Sequence, residues 1–524
     1  MECVVARYSS GRTLQSDGVC ELPQLMELHL DELPNCTSIF PKNNIDISSV
    51  KPFFNKEVMI PKLEKLEITG MKNLKEIWES EITTTEGKIK NIFMLREIEV
   101  KDCSSIEVLF NIDLGQIRQL GMCSLRNIKV CRCESFREVW RIKDPGNNYF
   151  IGGFQAVETI YIEECEKFRN IVTPTTINFD MRALKDIYIK SCAPKDIYER
   201  NNELVKNNQK SKRYINKEDD NLSKFAFTSY QMGYSFHQLH KIFFESVKGV
   251  EVVFEIESPS NRGQIVTSQQ QPLLPYLEHL TLSKMKKLSH VWKCNSWNKF
   301  FVLHKHQPQS SFQNLTSIEL EQCPGVKYLF SPLMVKLLTN LQEVTIRECD
   351  VSNRDEEEMT SSTYAHTTAT LFPRLHHLRL YFMKNLKHIG GGVAKGTTDV
   401  GHGQSKVSQV DVVSWSVCQY SRTIRIDGCD SLSSVIPYYA AGQTQKLQEL
   451  RILNCTSMME VFETEVINNK NTSGCSSNTT VAVPRPTNII VHKFPYLKIL
   501  KIDACDPYSH FPHLKASRKS KSYG

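Results

Sequence analysis

The chain lacks most of what would tie it to a membrane, a metal or a reaction. No run of 18 or more apolar residues occurs, so no segment is expected to span a bilayer as a helix. The start, MECVVARYSSGR, has no basic region leading into an apolar stretch, and no secretory signal peptide is expected. Seventeen cysteines are present, yet none forms a C-x-x-C pair, which removes the usual zinc and dithiol spacings. The stretch Gly391-Gly392-Val393-Ala394-Lys395-Gly396-Thr397 has its lysine before Gly396 rather than after it. With no strand before it and no helix after it, it reads as a flexible loop and not as a phosphate cradle. His304-Lys305-His306 and His376-His377 have no acidic or Cys partners at fixed spacing, and Asp355 to Glu358 reads as a solvated acidic loop. No Ser/His/Asp or Cys/His set can be assembled. The expectation is a chain that is not an enzyme and holds no cofactor and no metal.

What is present is one pattern, said about fourteen times. Its clearest copy is Phe312-x-x-Leu315-x-x-Ile318-x-Leu320-x-x-Cys323-x-x-Val326-x-x-Leu329-Phe330. The same grammar runs through Phe154, Val157, Ile160, Ile162, Cys165, Phe168 and Ile171, and through Leu274 to Trp292. Aligned on the Cys position, the copies fall at Leu33, Met71, Cys103, Cys133, Cys165, Cys192, Val247, Met285, Cys323, Cys349, Met383, Cys429, Cys455 and Cys505. The gaps average about 36 residues, longer than the roughly 20–29 of a standard leucine-rich repeat. The excess is assigned to the return segment of each unit. An apolar set returning at a fixed period predicts a stacked α/β solenoid, a leucine-rich-repeat horseshoe or superhelix of irregular curvature. Its parallel sheet would line the concave face, with irregular loops or short helices on the return side.

The offsets have physical reasons. In I-x-I the period is two, so both apolar side chains point inward and the middle residue points out. The Cys three residues later marks the turn out of the strand, where a small apolar side chain with a weak S–H donor fits beside turning backbone. Nine of the seventeen cysteines occupy that slot, which predicts buried, reduced core thiols. Cys131 and Cys133 straddle one strand end, with Cys133 in the slot. No unit can bury its apolar edge alone, so stability should come from stacking. A composition of 40% hydrophobic and 23% charged residues fits a folded chain, and a net charge of +7 over 524 residues indicates no specific nucleic acid.

The organisation expected is a poorly ordered lead (1–20), about six repeats (21–198), a polar insertion (199–235), about eight repeats (236–511) and a basic tail (512–524). Further polar insertions fall at 351–370, 390–410 and 463–487. Such segments bury too little apolar surface to offset ordering entropy. No capping unit precedes the first copy, which suggests a piece of a longer protein.

The candidate site is the ladder of outward strand residues: His29, Glu67, Glu99, Lys129, Tyr161, Tyr188, Phe243, Thr281, Glu319, Thr345, Arg379, Arg425, Arg451 and Lys501. Sharing one offset, they should share one face. Three adjacent aromatics (Tyr161, Tyr188, Phe243) and four consecutive basic residues (Arg379, Arg425, Arg451, Lys501) point to protein binding, because aromatic and Arg side chains are enriched at hot spots. His377 lies outward beside them.

The copies L-P-x-L-x-x-L-x-L-x-x-M-x-x-L-x-x-I/V-W (Pro61 to Trp78, Pro275 to Trp292) alternate with the Phe312 to Phe330 type. The run Leu338 to Asp350 follows, and Phe330-Ser331-Pro332 and Ile436-Pro437 supply endings. Together these resemble the C-terminal repeats of plant intracellular disease-resistance receptors of the coiled-coil, nucleotide-binding, leucine-rich-repeat class, and in particular the lettuce-type resistance-candidate group. The resemblance covers residues 20–511. It implies a protein-recognition and autoinhibitory role in defence, in the cytoplasm or nucleocytoplasm. The partner would be a pathogen effector, a guarded host protein or the receptor's own nucleotide-binding region. The P-loop and the N-terminal signalling domain of full receptors are not in this sequence, so ATP binding and signalling do not carry over, and a fragment or truncated product is expected. Two alternatives stay open. One is a substrate adaptor of a ubiquitin ligase. The other is an extracellular receptor ectodomain, favoured only by sequons at Asn35, Asn221, Asn314, Asn454, Asn471 and Asn478.

Overall fold

The computed structural model describes residues 20–36, 39, 52–54, 58–78, 94–113, 124–143, 150–151, 154–168, 170–173, 178–179, 181–192, 225–229, 231–256, 271–294, 296–297, 300–301, 311–326, 337–349, 372–386, 420–436, 444, 446–462 and 494–505. The predicted insertions at 351–370, 390–410 and 463–487 lie outside the described residues. So do the tail, most of 1–20 and of 199–235, His304, His306, the acidic run and the glycine-rich stretch. The chain divides into two compact units, Met1–Leu338 and Thr339–Gly524.

In the first unit the strands Glu27–Asp31, Lys65–Thr69, Glu97–Lys101, Asn127–Cys131, Thr159–Glu163, Asp186–Lys190, Lys241–Glu245, His279–Ser283 and Ser317–Glu321 pair in sequence order as one parallel ladder. The register never slips: Ile98, Ile128, Ile160, Ile187, Ile242, Leu280 and Ile318 stand side by side. The second unit repeats the arrangement with Glu343–Arg347, His377–Tyr381, Thr423–Asp427, Glu449–Leu453 and Ile499–Asp503. Along most of these strands buried and outward residues alternate, as the period of two requires. Each inward Ile or Leu removed from water contributes about 1.5–3 kcal/mol, and two per strand hold each repeat to its neighbours. The last strand departs from the pattern, since Ile499, Leu500 and Ile502 all remain about half exposed.

The turn leaving each ladder strand is built from a feature that the residue types conceal. The residue immediately after every strand has a left-handed backbone, from Glu32 (φ 50°) through Ser191 (51°) to Ala504 (51°), although only Gly70 and Gly428 are glycine. A side chain in this region costs roughly 1–2 kcal/mol. The conformation is imposed because it aims the residue's own N–H at the last strand carbonyl of the next repeat: Glu32 to Thr69, Arg132 to Glu163, Ser191 to Glu245, Phe382 to Asp427. The strained turn thereby adds a rung to the ladder. At Gly428 (φ 65°) there is a second requirement, since a Cβ would lie 2.4 Å from the Phe382 ring.

The slot cysteine follows directly. Cys103, Cys133, Cys165, Cys192, Cys323, Cys349, Cys429 and Cys455 are buried, and Cys505 is half-buried. Each Sγ donates towards the carbonyl two residues back, as in Cys103 to Lys101 (3.1 Å) and Cys165 to Glu163 (3.3 Å). Most also reach an inner-strand carbonyl of the preceding repeat, as in Cys133 to Val100 (3.8 Å) and Cys323 to Leu282 (3.6 Å). A thiol is small enough to enter the core and can still donate weakly, as a second partner, to strand-end carbonyls that already accept the N–H of the preceding turn.

Beyond the slot, the trailing segments form a second tier of short parallel strands where the sequence suggested irregular structure. Val108–Asp113, Glu138–Lys143 and Asn170–Thr173 form one sheet; Phe225–Thr228, Val252–Ile256 and His290–Cys294 form another. The Phe225–Thr228 strand belongs to the end of the 199–235 segment. Ser434–Ile436 pairs with Glu460–Phe462 in the second unit. The pairing brings the large closing residue of each repeat onto that of the next. Phe54 and Trp78 stack at 4.6 Å, Trp78 and Phe110 at 6.4 Å, and Phe110 and Trp140 at 5.9 Å. A second column runs through Phe227, Phe254 and Trp292 at 5.8 Å spacings. Each ring pair contributes about 0.5–1.5 kcal/mol beyond its burial.

Candidate protein-recognition face

Side chains at the first, third and fifth positions of each five-residue ladder strand project from one face. In the first unit the middle position places Tyr161, Tyr188 and Phe243 in direct register. Their ring centroids stand 5.9 Å and 6.1 Å apart, tilted by 38° and 36°. The flanking positions supply lysines. Lys190 Nζ lies 5.3 Å from both the Tyr161 and the Phe243 rings, Lys129 lies 5.6 Å from Tyr161, and Lys241 lies 5.4 Å from Tyr188. Cation–π contacts at such exposure contribute about 0.5–1 kcal/mol each and hold the rings and ammonium groups in a fixed mosaic. The Tyr161 hydroxyl donates to Glu163 at 3.0 Å. Partial burial raises the Tyr161 phenol, with Glu163 acting in the same direction. The adjacent Tyr161 oxygen holds the Lys190 ammonium above the ordinary lysine range. The plateau is therefore aromatic, with Tyr161 neutral and Lys190 protonated at neutral pH, and its lysines alternate with the carboxylates of Glu163, Asp186 and Glu245 across the strands.

N-terminal to the plateau, the face is internally neutralised. Glu99 forms ion pairs with Lys101 at 2.8 Å and Lys129 at 2.7 Å. Burial alone would raise Glu99, and the two lysines outweigh it, so its carboxyl is held below the usual range. His29 pairs with Glu67 at 3.0 Å.

The basic column of the second unit also lines up, with Arg379, Arg425, Arg451 and Lys501 in register across four strands. Each of the four has a carboxylate partner. Arg379 pairs with Glu343. Glu449 accepts from Arg425 at 3.0 Å and forms an ion pair with Arg451 at 2.6 Å, and Lys501 lies 4.0 Å from Asp503. Burial pushes Glu449 up, but Arg425 and Arg451 overcome it and hold its carboxyl below the usual range. His377 is half-buried, its ring 6.4 Å from that of His376. The candidate residues thus form two sets of different character: an aromatic plateau whose lysines lie against the rings and beside strand carboxylates, and an arginine column largely satisfied by its own strand neighbours. The middle-position pattern missed the lysines and carboxylates on either side. Their signal was available, since residues two away on a strand share its face.

A family model described as "Plant disease resistance protein RPS2-like, leucine-rich repeats" matches residues 62–193, 202–350, 295–402 and 405–517, most of the chain. The chain belongs to this family. Its repeats are those of plant disease-resistance proteins, and leucine-rich-repeat families of this kind are generally non-enzymatic protein-interaction regions. No curated protein matches the sequence. Among solved structures, an internalin from Listeria monocytogenes is similar over 84% of this chain and 82% of its own, at 9% identity and a TM-score of 0.31. TLR13, solved in complex with ssRNA13, is similar over 85% of this chain and 62% of its own, at 9% identity and a TM-score of 0.27. Among the described residues no helix is long and apolar enough to cross a membrane, and no group of three or more His, Cys, Asp or Glu is placed to hold a metal ion.

Proposed function

We propose that this resistance-family repeat region is the protein-recognition surface of an intracellular plant immune receptor, acting in defence against pathogens from the cytoplasm or nucleocytoplasm. Its partner is a pathogen effector, a guarded host protein or the nucleotide-binding region of a full receptor, and in the last case the contact is autoinhibitory. The observation that carries this reading is the Tyr161–Tyr188–Phe243 plateau with Lys190 and Lys241. Adjacent, half-exposed aromatics held in register by a rigid sheet offer large contact area at low entropic cost.

The test is co-purification of the full chain with the nucleotide-binding region of a family receptor, followed by affinity measurement for the Tyr161→Ala/Phe243→Ala variant. The expected loss is roughly 2 kcal/mol or more, as for central hot-spot aromatics. An unchanged affinity in a variant that keeps its thermal unfolding would remove the plateau from the interface. Fractionation of tagged protein, with a glycosidase mobility test, checks the location.

A further inference from the structure

The open positive charge of the second unit lies one row away from its arginine column, at the edge where the chain enters the strands. The backbone ladder extends to that edge: Arg422 N–H donates to His376 and Gln448 N–H to Arg422. Residues one position before each strand are therefore also stacked, and the contact of Lys446 with the Tyr420 ring carries the stacking to the third position. Arg374, Tyr420, Lys446 and Tyr496 occupy the third position before four consecutive strands, and His376 and Arg422 the first position before two of them. Arg374, Arg422 and Lys446 are exposed, and among the described residues none has a carboxylate within ion-pair distance. The contrast with Arg379, Arg425 and Arg451, all paired, is sharp.

We infer that this leading edge is a docking surface for an extended, acidic polypeptide segment, whose carboxylates are held by Arg374, Arg422 and Lys446. The inference rests on the protein-recognition reading and names a second contact for it. Adjacent strands are about 4.8 Å apart, which sets Arg374 and Lys446 about 10 Å from each other, a span that carboxylates two or three residues apart in an extended chain can bridge. The local field supports the assignment. Burial, together with the surrounding Arg422, His377, Lys446 and Arg374, holds the His376 imidazole below its ordinary range. Two observations favour a polypeptide over a nucleic acid. Lys446 Nζ sits 4.6 Å from the Tyr420 ring centroid, so a base stacking on that face would first have to displace the ammonium group. The next row inward carries Glu343 and Glu449, which a polymer with one charge per unit would have to meet, whereas a peptide can place a neutral residue there.

The experiment uses fluorescence anisotropy on the full chain with a labelled 12-residue peptide alternating Glu and Ser, and with labelled (dT)12 as comparison. Binding of the peptide is expected, weakening as salt rises. Arg374→Ala/Arg422→Ala/Lys446→Ala should bind about tenfold or more weakly, while Arg379→Ala/Arg451→Ala stays within about twofold of the parent. No peptide binding, equal loss in both variants, no loss in the edge variant, or tighter binding of (dT)12 than of peptide would each overturn the inference. Tyr161→Ala/Phe243→Ala, run in the same assay, separates the two readings. It should keep the peptide even where it loses the nucleotide-binding region, and loss of the peptide there would place acid binding on the plateau.

Discussion

Removing the indole of Trp140 tests whether the second tier holds the repeats together. Trp140 is fully buried, parallel to Phe110 at 5.9 Å and tilted against Phe154 at 5.2 Å. Its strand is paired on both sides, to Val108–Asp113 and to Asn170–Thr173. Truncating a buried Trp to Ala costs about 3–5 kcal/mol through lost transfer and the cavity left behind. Two ring contacts at about 0.5–1.5 kcal/mol each place the expected cost in the upper half of that range. In a stacked array each repeat touches only its neighbours, so the loss should be confined to them. At about 4 kcal/mol, and 1.36 kcal/mol per decade, amide protection in Val108–Asp113 and Asn170–Thr173 should fall roughly a thousandfold. Hydrogen exchange on Trp140→Ala reads this directly, with the Glu449–Leu453 strand of the second unit as internal reference. A fall of less than tenfold beside the mutation, or an equal fall in the reference strand, would refute the account of local stacking.

Three further outcomes are expected. Thiol labelling of native protein at pH 7 should leave the eight buried slot cysteines largely unmodified and react faster at half-buried Cys505. The contact between the Cys103 and Cys133 thiols pushes Cys133 up and Cys103 down, so the protection expected of the slot rests on burial, and rapid native labelling of most slot positions would contradict it. Glu449 has a folded pKa below its unfolded value near 4.5, so its stabilisation is present above that value and is lost as pH falls through the lower folded one. Urea midpoints measured at neutral pH and below pH 4 should therefore differ less in Glu449→Gln than in the parent, and equal differences would count against the Arg425–Glu449–Arg451 cluster. Ser191 has φ 51°, so the β-branched Ser191→Val should be less stable than the parent, while Ser191→Gly should be at least as stable. Glycine relieves the roughly 1–2 kcal/mol that a Cβ costs there and gives back part of it as unfolded-chain entropy. Indistinguishable unfolding of the Val variant would rule out strain as the cost of that turn.

The amino-acid sequence by itself located every ladder strand and the direction each side chain takes. The apolar period of two is a local covalent property, and an I-x-I triplet followed three residues later by Cys can satisfy water and backbone in only one way. The common register of Tyr161, Tyr188 and Phe243 followed from equal offsets, and so did the slot of Cys103 or Cys323. The left-handed turn residue was not legible, because Glu, Arg, Ser and Lys occupy a position that glycine would have advertised; the partner carbonyl on the next repeat fixes it. The second-tier strands were not legible either, since segments such as Glu138–Lys143 are too short to declare a period and become strands only when neighbours pair with them. Charge was the largest gap. Arg425 and Glu449 are 24 residues apart in the chain and 3.0 Å apart in the fold, so the basic column reads as open in sequence and is closed in space. The same stacking left Arg374, Arg422 and Lys446 open at the edge. Electrostatic pairing depends on distances across strands, and only the register of the stacked repeats sets those distances.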